Sequence, residues 1–263
     1  MTTTPTTTTA RETVATGRAF RTAIGTEFLK LATIRSPLGL LVLAVAVVTA
    51  GVSGLFLSSP AADPRQYTQQ ALAHAGLVSF LSLVLGILTV AGEYRHRSIS
   101  DTYLSTPRRG AVIRAKLVVS TITGLGVGVV SSAAAVGVTA IWLDVRGSSL
   151  DLTSATVGPT LAGCIVMNAA FAAIGVGVGA LIRNLTAAVA VALAWLAVVE
   201  GIVGQLIGGL DRWLPFTSGL ALEGGSIPGK DLLAPVAAGL VLAGYAALAA
   251  VVSIWTTVRR DVT

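Results

Sequence analysis

Apolar residues gather into six long runs, at 38–57, 71–91, 117–143, 157–181, 185–207 and 233–255. Crossing roughly 30 Å of hydrocarbon takes about 20 apolar residues, so each run is a candidate span. Five of them lack Asp, Glu, Lys and Arg, and the fifth run holds Glu200. None alternates polar and apolar positions as barrel strands do, and lipid leaves an open backbone without partners, so the runs predict helices. Pro159 and Pro235 each fall in the first turn of a run, where proline removes no helical hydrogen bond. The first run starts deep in the chain, which predicts a retained span rather than a cleaved signal segment.

A different periodicity precedes the first run. Phe20, Ile24, Phe28, Leu31 and Ile34 recur at steps of four, four, three and three, one face of a helix, with Arg18, Arg21, Thr22 and Lys30 off that face. Residues 13–36 therefore read as an amphipathic interfacial helix. Residues 1–12 include a threonine-rich tract and predict a disordered tail.

Composition supports the lipid setting. The residues AVILMFWYC make up 54% of the 263, with 29 glycines besides, and charged residues are only 11%. A soluble domain carries about 25% charged residues and has too little interior for so much apolar side chain. The net charge is +6, and its distribution sets orientation. Fourteen of the 18 basic residues lie on one side: Arg11, Arg18, Arg21, Lys30, Arg35, Arg95, Arg97, Arg108, Arg109, Arg114, Lys116, Arg183, Arg259 and Arg260. That side is the cytoplasmic one, and an even span number puts both termini there, in a multi-pass cell-membrane protein. The basic pI then needs no nucleic-acid partner. One cysteine, Cys164, and two distant histidines, His74 and His96, build neither a disulfide framework nor a metal site.

The connector 92–116 is the most charged cytoplasmic segment. Ser98 with Asp101 fits a capping box, and Thr106-Pro107 is a stop, so a short helix carrying Ile99, Tyr103 and Leu104 is expected between flanking arginines. Such a helix, held below the membrane, suits a groove on a partner protein.

Gly-Glu-Tyr-Arg at 92–95, Ser98-Ile99, Thr102, Thr106-Pro107-Arg108-Arg109 and Arg114-Ala115-Lys116 resemble the connector between spans two and three of type-2 ATP-binding-cassette (ABC) exporter permeases. The resemblance covers most of the chain. It takes in an elbow helix with Phe20, Ile24, Phe28 and Leu31, six spans, and a long external loop at 208–232 containing Asp211 to Leu220. It implies an all-α membrane protein with a cytoplasmic coupling helix and an external re-entrant segment before span six. It also implies that Glu93 and Arg95 lie at the membrane end of the coupling segment, with Arg97 among the residues that couple to the ATPase. Ser98, Ile99, Asp101, Thr102, Tyr103 and Leu104 would form the docking helix, and Pro107, Arg109 and Lys116 the turn into span three. The implied function is export of a hydrophobic or amphipathic compound by a dimer, either two copies or one copy with a paralogue. A separate ATP-binding subunit would carry ATP and Mg²⁺, and this chain would bind no cofactor.

No complete Walker A motif is present. Gly224 to Lys230 fits the G-x-x-x-x-G-K frame, but Asp231 follows where Ser or Thr would bind Mg²⁺. The chain is thus expected to be a transport subunit rather than an enzyme. An ion-coupled secondary transporter is the alternative, for which Glu200 is the main intramembrane group. A membrane enzyme or scaffold is disfavoured because no catalytic constellation is visible: no nucleophile-base pairing and no H-E-x-x-H motif. Glu200, Asn168 and His74 are candidates for a substrate path, and His74 lies deep enough to partner Glu200. Gly124 and Gly128 in span three, and Gly175 and Gly179 in span four, have the four-residue spacing of close helix contacts.

Overall fold

The computed structural model of the protein describes residues 6–33, 35–58, 63–105 and 109–259. Among these there is no strand, only one isolated bridge between Ile227 and Lys230. The helices are α1 (Thr6–Thr33), α2 (Arg35–Ser58), α3 (Thr68–Leu77), α4 (Ser79–Arg95), α5 (Ile99–Ser105), α6 (Arg109–Val145), α7 (Val157–Ile182), α8 (Leu185–Ala194), α9 (Glu200–Leu206), α10 (Pro215–Leu222) and α11 (Pro235–Arg259). Six helical stretches are long and apolar enough to cross a membrane: Ser36–Ser58, Thr68–Arg95, Arg109–Val145, Val157–Ile182, Leu185–Leu206 and Pro235–Thr257.

Several boundaries differ from those the hydropathy predicts. Helix α1 starts at Thr6, so the helix extends back into the stretch read as a tail. Span three begins at Arg109, which places Arg109, Arg114 and Lys116 inside α6 rather than in a turn before it. Ala111, Val112, Ile113 and Ala115 are buried there, and that packing carries the helix on below the apolar run. At 1.5 Å per residue, the 37 residues of α6 extend roughly 55 Å, well beyond a bilayer's hydrocarbon thickness.

Span two is broken between α3 and α4 at Val78. Asn168 on α7 stitches the break. Its Nδ2 donates to Ala75 O at 3.0 Å, one of the last carbonyls of α3, and to Cys164 O at 2.9 Å. Its Oδ1 accepts from Ser82 Oγ at 2.7 Å. The last turn of a helix leaves carbonyls without intrahelical donors, and an amide side chain can supply one.

Helices α4 and α7 form the most extensive pairing, and α6 and α11 also pack on α7. Glycine makes this approach possible. A Cβ on Gly175 would collide with Leu83 O and lie 3.0 Å from Gly86 Cα. The expected small-residue contacts in span three meet the same helix: a Cβ on Gly124 or on Gly128 would lie 2.7 Å from α7 backbone. Span five is interrupted by a π-helical turn at Trp195–Val199, which re-aims the chain just before Glu200.

Candidate functional site

Charged residues of α1, of the end of α4 and of the start of span three converge on one cluster. Lys116 on α6 is only 1% exposed. Its ammonium donates to Glu27 Oε2 at 2.8 Å, Glu93 Oε1 at 2.8 Å and Thr89 O at 2.8 Å, so all three protons are placed. Lys30, one turn beyond Glu27 on α1, donates to Glu27 Oε1 at 2.9 Å, Glu93 Oε1 at 2.6 Å and Thr102 Oγ1 at 3.3 Å. Thr102 in turn donates to Ser98 O at 3.2 Å. Burial would lower the Lys30 pKa, but the hydrogen bond to Glu93 and the charges of Glu27 and Glu93 outweigh it. The ammonium is held above the ordinary lysine value.

Two carboxylates and two ammonium groups thus join α1, α4, α5 and α6 in one network. Taking such groups out of water is costly unless each is paired, and removal of one member leaves a buried charge exposed to its like. Arg114 adds a second tie between α6 and α1, lying 6.0 Å from the centre of the Phe20 ring. At the end of α7, Arg183 lies 5.1 Å from the Tyr94 ring centre and so links the C-terminal ends of spans two and four.

The residues assigned to coupling divide into two sets. Glu93, Lys116 and Ile99 are buried and hold the helices together. Arg95, Arg97 and Leu104 face outward, with Leu104 81% exposed. Ser98 and Arg109 are half-buried. Pro107 lies outside the described residues, as do the side chains of Asp101 and Tyr103. Glu27 and Lys30 were not singled out as site residues by the sequence, yet they complete the network. A signal was available: Glu27 lies three residues after Ile24 and four before Leu31, within the apolar stripe. On α1, Phe20, Ile24 and Leu31 are half-buried and Phe28 is exposed, while Ala23 and Glu27 are the buried positions among the described side chains.

Of the three substrate-path candidates, no two are brought together among the described residues. His74 Nδ1 lies 2.8 Å from Gln70 O, and its ring sits against Gly51 of α2. Glu200 faces the amino end of α10 instead: Phe216 N donates to both its oxygens at 3.1 Å, and Thr217 N donates to Oε2 at 3.3 Å. A carboxylate is favoured there because the first amides of a helix lack intrahelical acceptors. The expected His74 partnership is therefore replaced by a helix cap. Asn168 is 0% exposed and its amide is engaged at the break in span two, a packing role rather than a place on an open path. Glu200→Leu should cost about 2 kcal/mol by orphaning these amides, and Glu200→Gln distinctly less because one acceptor remains. Thermal unfolding of the two variants side by side checks this, and equal losses would contradict it.

The loop between spans five and six holds a carboxyl that hydropathy did not mark. Glu223, 3% exposed, packs against Gly76 beside the break in span two and accepts from Cys164 Sγ at 3.3 Å. Lys230, the lysine of the Walker-like frame, donates to Asp211 Oδ2 at 2.6 Å, and that hydrogen bond holds the Asp211 carboxyl below the usual carboxylate range. The frame is thus part of a loop closure and forms no phosphate cradle. Asn184, in an Asn-Leu-Thr sequence, caps α8 by accepting from Ala187 N at 3.0 Å. No group of three or more His, Cys, Asp or Glu that could hold a metal occurs among the described residues. No protein-family model matches the chain, and no curated protein sequence matches it.

Proposed function

We propose that the chain is the membrane-spanning subunit of an ABC exporter, driving ATP-dependent export of a hydrophobic or amphipathic compound through a pathway framed with a second copy or a paralogue. The observation that carries this reading is the buried network of Glu27, Lys30, Glu93 and Lys116 beneath α5. A short helix presents Leu104 outward while Thr102 on the same helix bonds the elbow through Lys30. A push on α5 would therefore be delivered to α1 and to the ends of spans two and three as one body rather than dissipated in a loose connector. Arg95 and Arg97, both exposed, provide charge for an acidic rim on an ATPase partner. Spans one, five and six keep much of their surface uncovered within the chain, available to lipid or to a second permease copy.

The first check is whether an adjacent reading frame encodes a chain with a complete Walker A motif. Co-expression of the two should give a complex whose ATPase activity depends on both. Leu104→Glu should reduce the association at least about tenfold, since it puts a charge at the apolar side chain that α5 exposes, while membrane insertion stays normal. Unaltered association would remove α5 from the docking role. Transport by the chain alone on an ion gradient, without ATP, would favour the secondary-transporter alternative and overturn the proposal.

A further inference from the structure

The turn that follows α10 is seated in notches on two other helices. Gly224, at φ +75°, ends α10, and Gly225 N donates to Leu220 O at 2.9 Å. The turn presents Glu223 to the end of α3. A Cβ on Gly76 of α3 would coincide with Glu223 Oε2, and a Cβ on Gly163 of α7 would lie 2.7 Å from Glu223 Cα. Glycine at both positions is what lets the turn settle there. Gln69 on α3 completes the contact, donating from Nε2 to Gly224 O at 2.9 Å.

This is a poor setting for a charge. Glu223 is buried, and among the described residues the one donor to its carboxyl is the Cys164 thiol, 3.3 Å from Oε2. Glu223 caps the C-terminus of α10, and Gly76 lies in the last turn of α3, so two helix C-termini meet at the carboxyl. The last carbonyls of a helix carry partial negative charge and disfavour a carboxylate beside them. No neighbouring helix offers a cation among the described residues. Cys164 is the one titratable residue of α7, and α10 has none. The histidine of α3, His74, turns its ring to Gly51 of α2. Leu222 meets α11 at Gly239, and the one titratable residue of that helix between 235 and 257, Tyr245, lies six residues further on. Lys230 and Asp211, in the same loop, pair with each other. Burial pushes the Glu223 carboxyl up to about 8, and the Cys164 hydrogen bond offsets only part of that rise.

We infer that Glu223 is a proton latch. Neutral, it holds the turn after α10 on α3 and α7; ionised, it leaves the notch at Gly76 and frees the α3 end of the break in span two. The proton passes to solvent when the turn lifts. The sign follows from the docked carboxyl keeping its proton to a higher pH than a solvated one. Its support for docking is whole below the ordinary value of 4.5 and is lost as pH rises through about 8. The latch is independent of the exporter reading, since it needs only these contacts.

The test uses the full chain in lipid discs. Amide hydrogen exchange over residues 216–225, corrected for the intrinsic pH dependence of exchange, is compared at about pH 6 and about pH 9. The expected result is a fall in protection of about tenfold or more, since each pKa unit between the docked and released carboxyl is worth a factor of about ten. Glu223→Gln keeps the shape but cannot ionise, and it should hold its protection at both pH values. Gly76→Ala puts a Cβ where the carboxyl sits, and it should lower protection at both. Cys164→Ala removes the other titratable group and should keep the fall. Protection independent of pH in the unmodified chain overturns the inference. So does a fall that Glu223→Gln shares or that Cys164→Ala loses. An equal fall across α7 would report loosening of the whole bundle and overturns the latch as well.

Discussion

Replacing Lys116 by methionine should destabilise the protein by about 3–5 kcal/mol, the cost of removing one partner from a buried ion-pair network. Lys116 separates two carboxylates, lying 2.8 Å from Glu27 Oε2 and 2.8 Å from Glu93 Oε1, and is nearly devoid of solvent. Without it, Glu27 and Glu93 share only Lys30, whose side chain is one-third exposed. The methionine fills a similar volume, so the loss reports charge rather than a void. Lys116→Arg should not rescue, because a planar guanidinium cannot direct donors to Glu27, Glu93 and Thr89 O from one point. Adding Glu27→Gln to Lys116→Met should recover part of the loss by removing the like-charge repulsion, a coupling that a double-mutant cycle measures. Thermal unfolding in detergent or in lipid discs is the measurement. A melting temperature within a degree of the unmodified protein would show that the cluster does not hold α1, α4 and α6 together.

The second large effect is steric. Gly175→Val should cost about 3 kcal/mol or more, at the upper end of what overpacking does, because the obstacle is backbone on both sides. The new side chain would meet Leu83 O and the backbone of Gly86 and Ile87 across the α4 and α7 contact, and no flexible side-chain end is there to move aside. Spans two and four would have to separate, loosening the Asn168 joint to Ala75 and Ser82. Gly126→Ala on α6 is the matched control, since a Cβ there meets nothing within 4 Å. It should leave stability unchanged or raise it slightly through helix propensity. Similar losses for the two substitutions would mean that helix separation is not what Gly175 sets.

These two sites differ in how far they were legible. The four-residue glycine spacing in spans three and four announced close packing, but not that Gly124 and Gly128 meet α7 while Gly175 meets α4. Glu93 and Lys116 stood out as charges at the edges of apolar runs. The rest of the cluster needs α1 to bring Glu27 and Lys30 against them, a separation of 63 residues for Lys30 and Glu93 that no local pattern encodes. Glu200 was conspicuous because a carboxylate inside an apolar run is expensive. Its partner was misjudged because depth along a span says nothing about which face a side chain presents, and a π-helical turn at Trp195–Val199 intervenes just before it. Glu223 escaped notice because an acidic residue in a polar loop carries no local mark of burial.

Hydropathy and charge placement by themselves determine that six helices are long and apolar enough to span a membrane, and they single out the connector at 92–116 as the most charged segment on one side. Both follow from the cost of putting backbone polar groups and charges into hydrocarbon, which each segment incurs alone. Tertiary structure decided where the helices break, that α6 continues down to Arg109, and that Glu27, Lys30, Glu93 and Lys116 form one neutral cluster. Those outcomes depend on which surfaces meet. The cost of a buried charge is set by its partner, and the partner here lies on another helix.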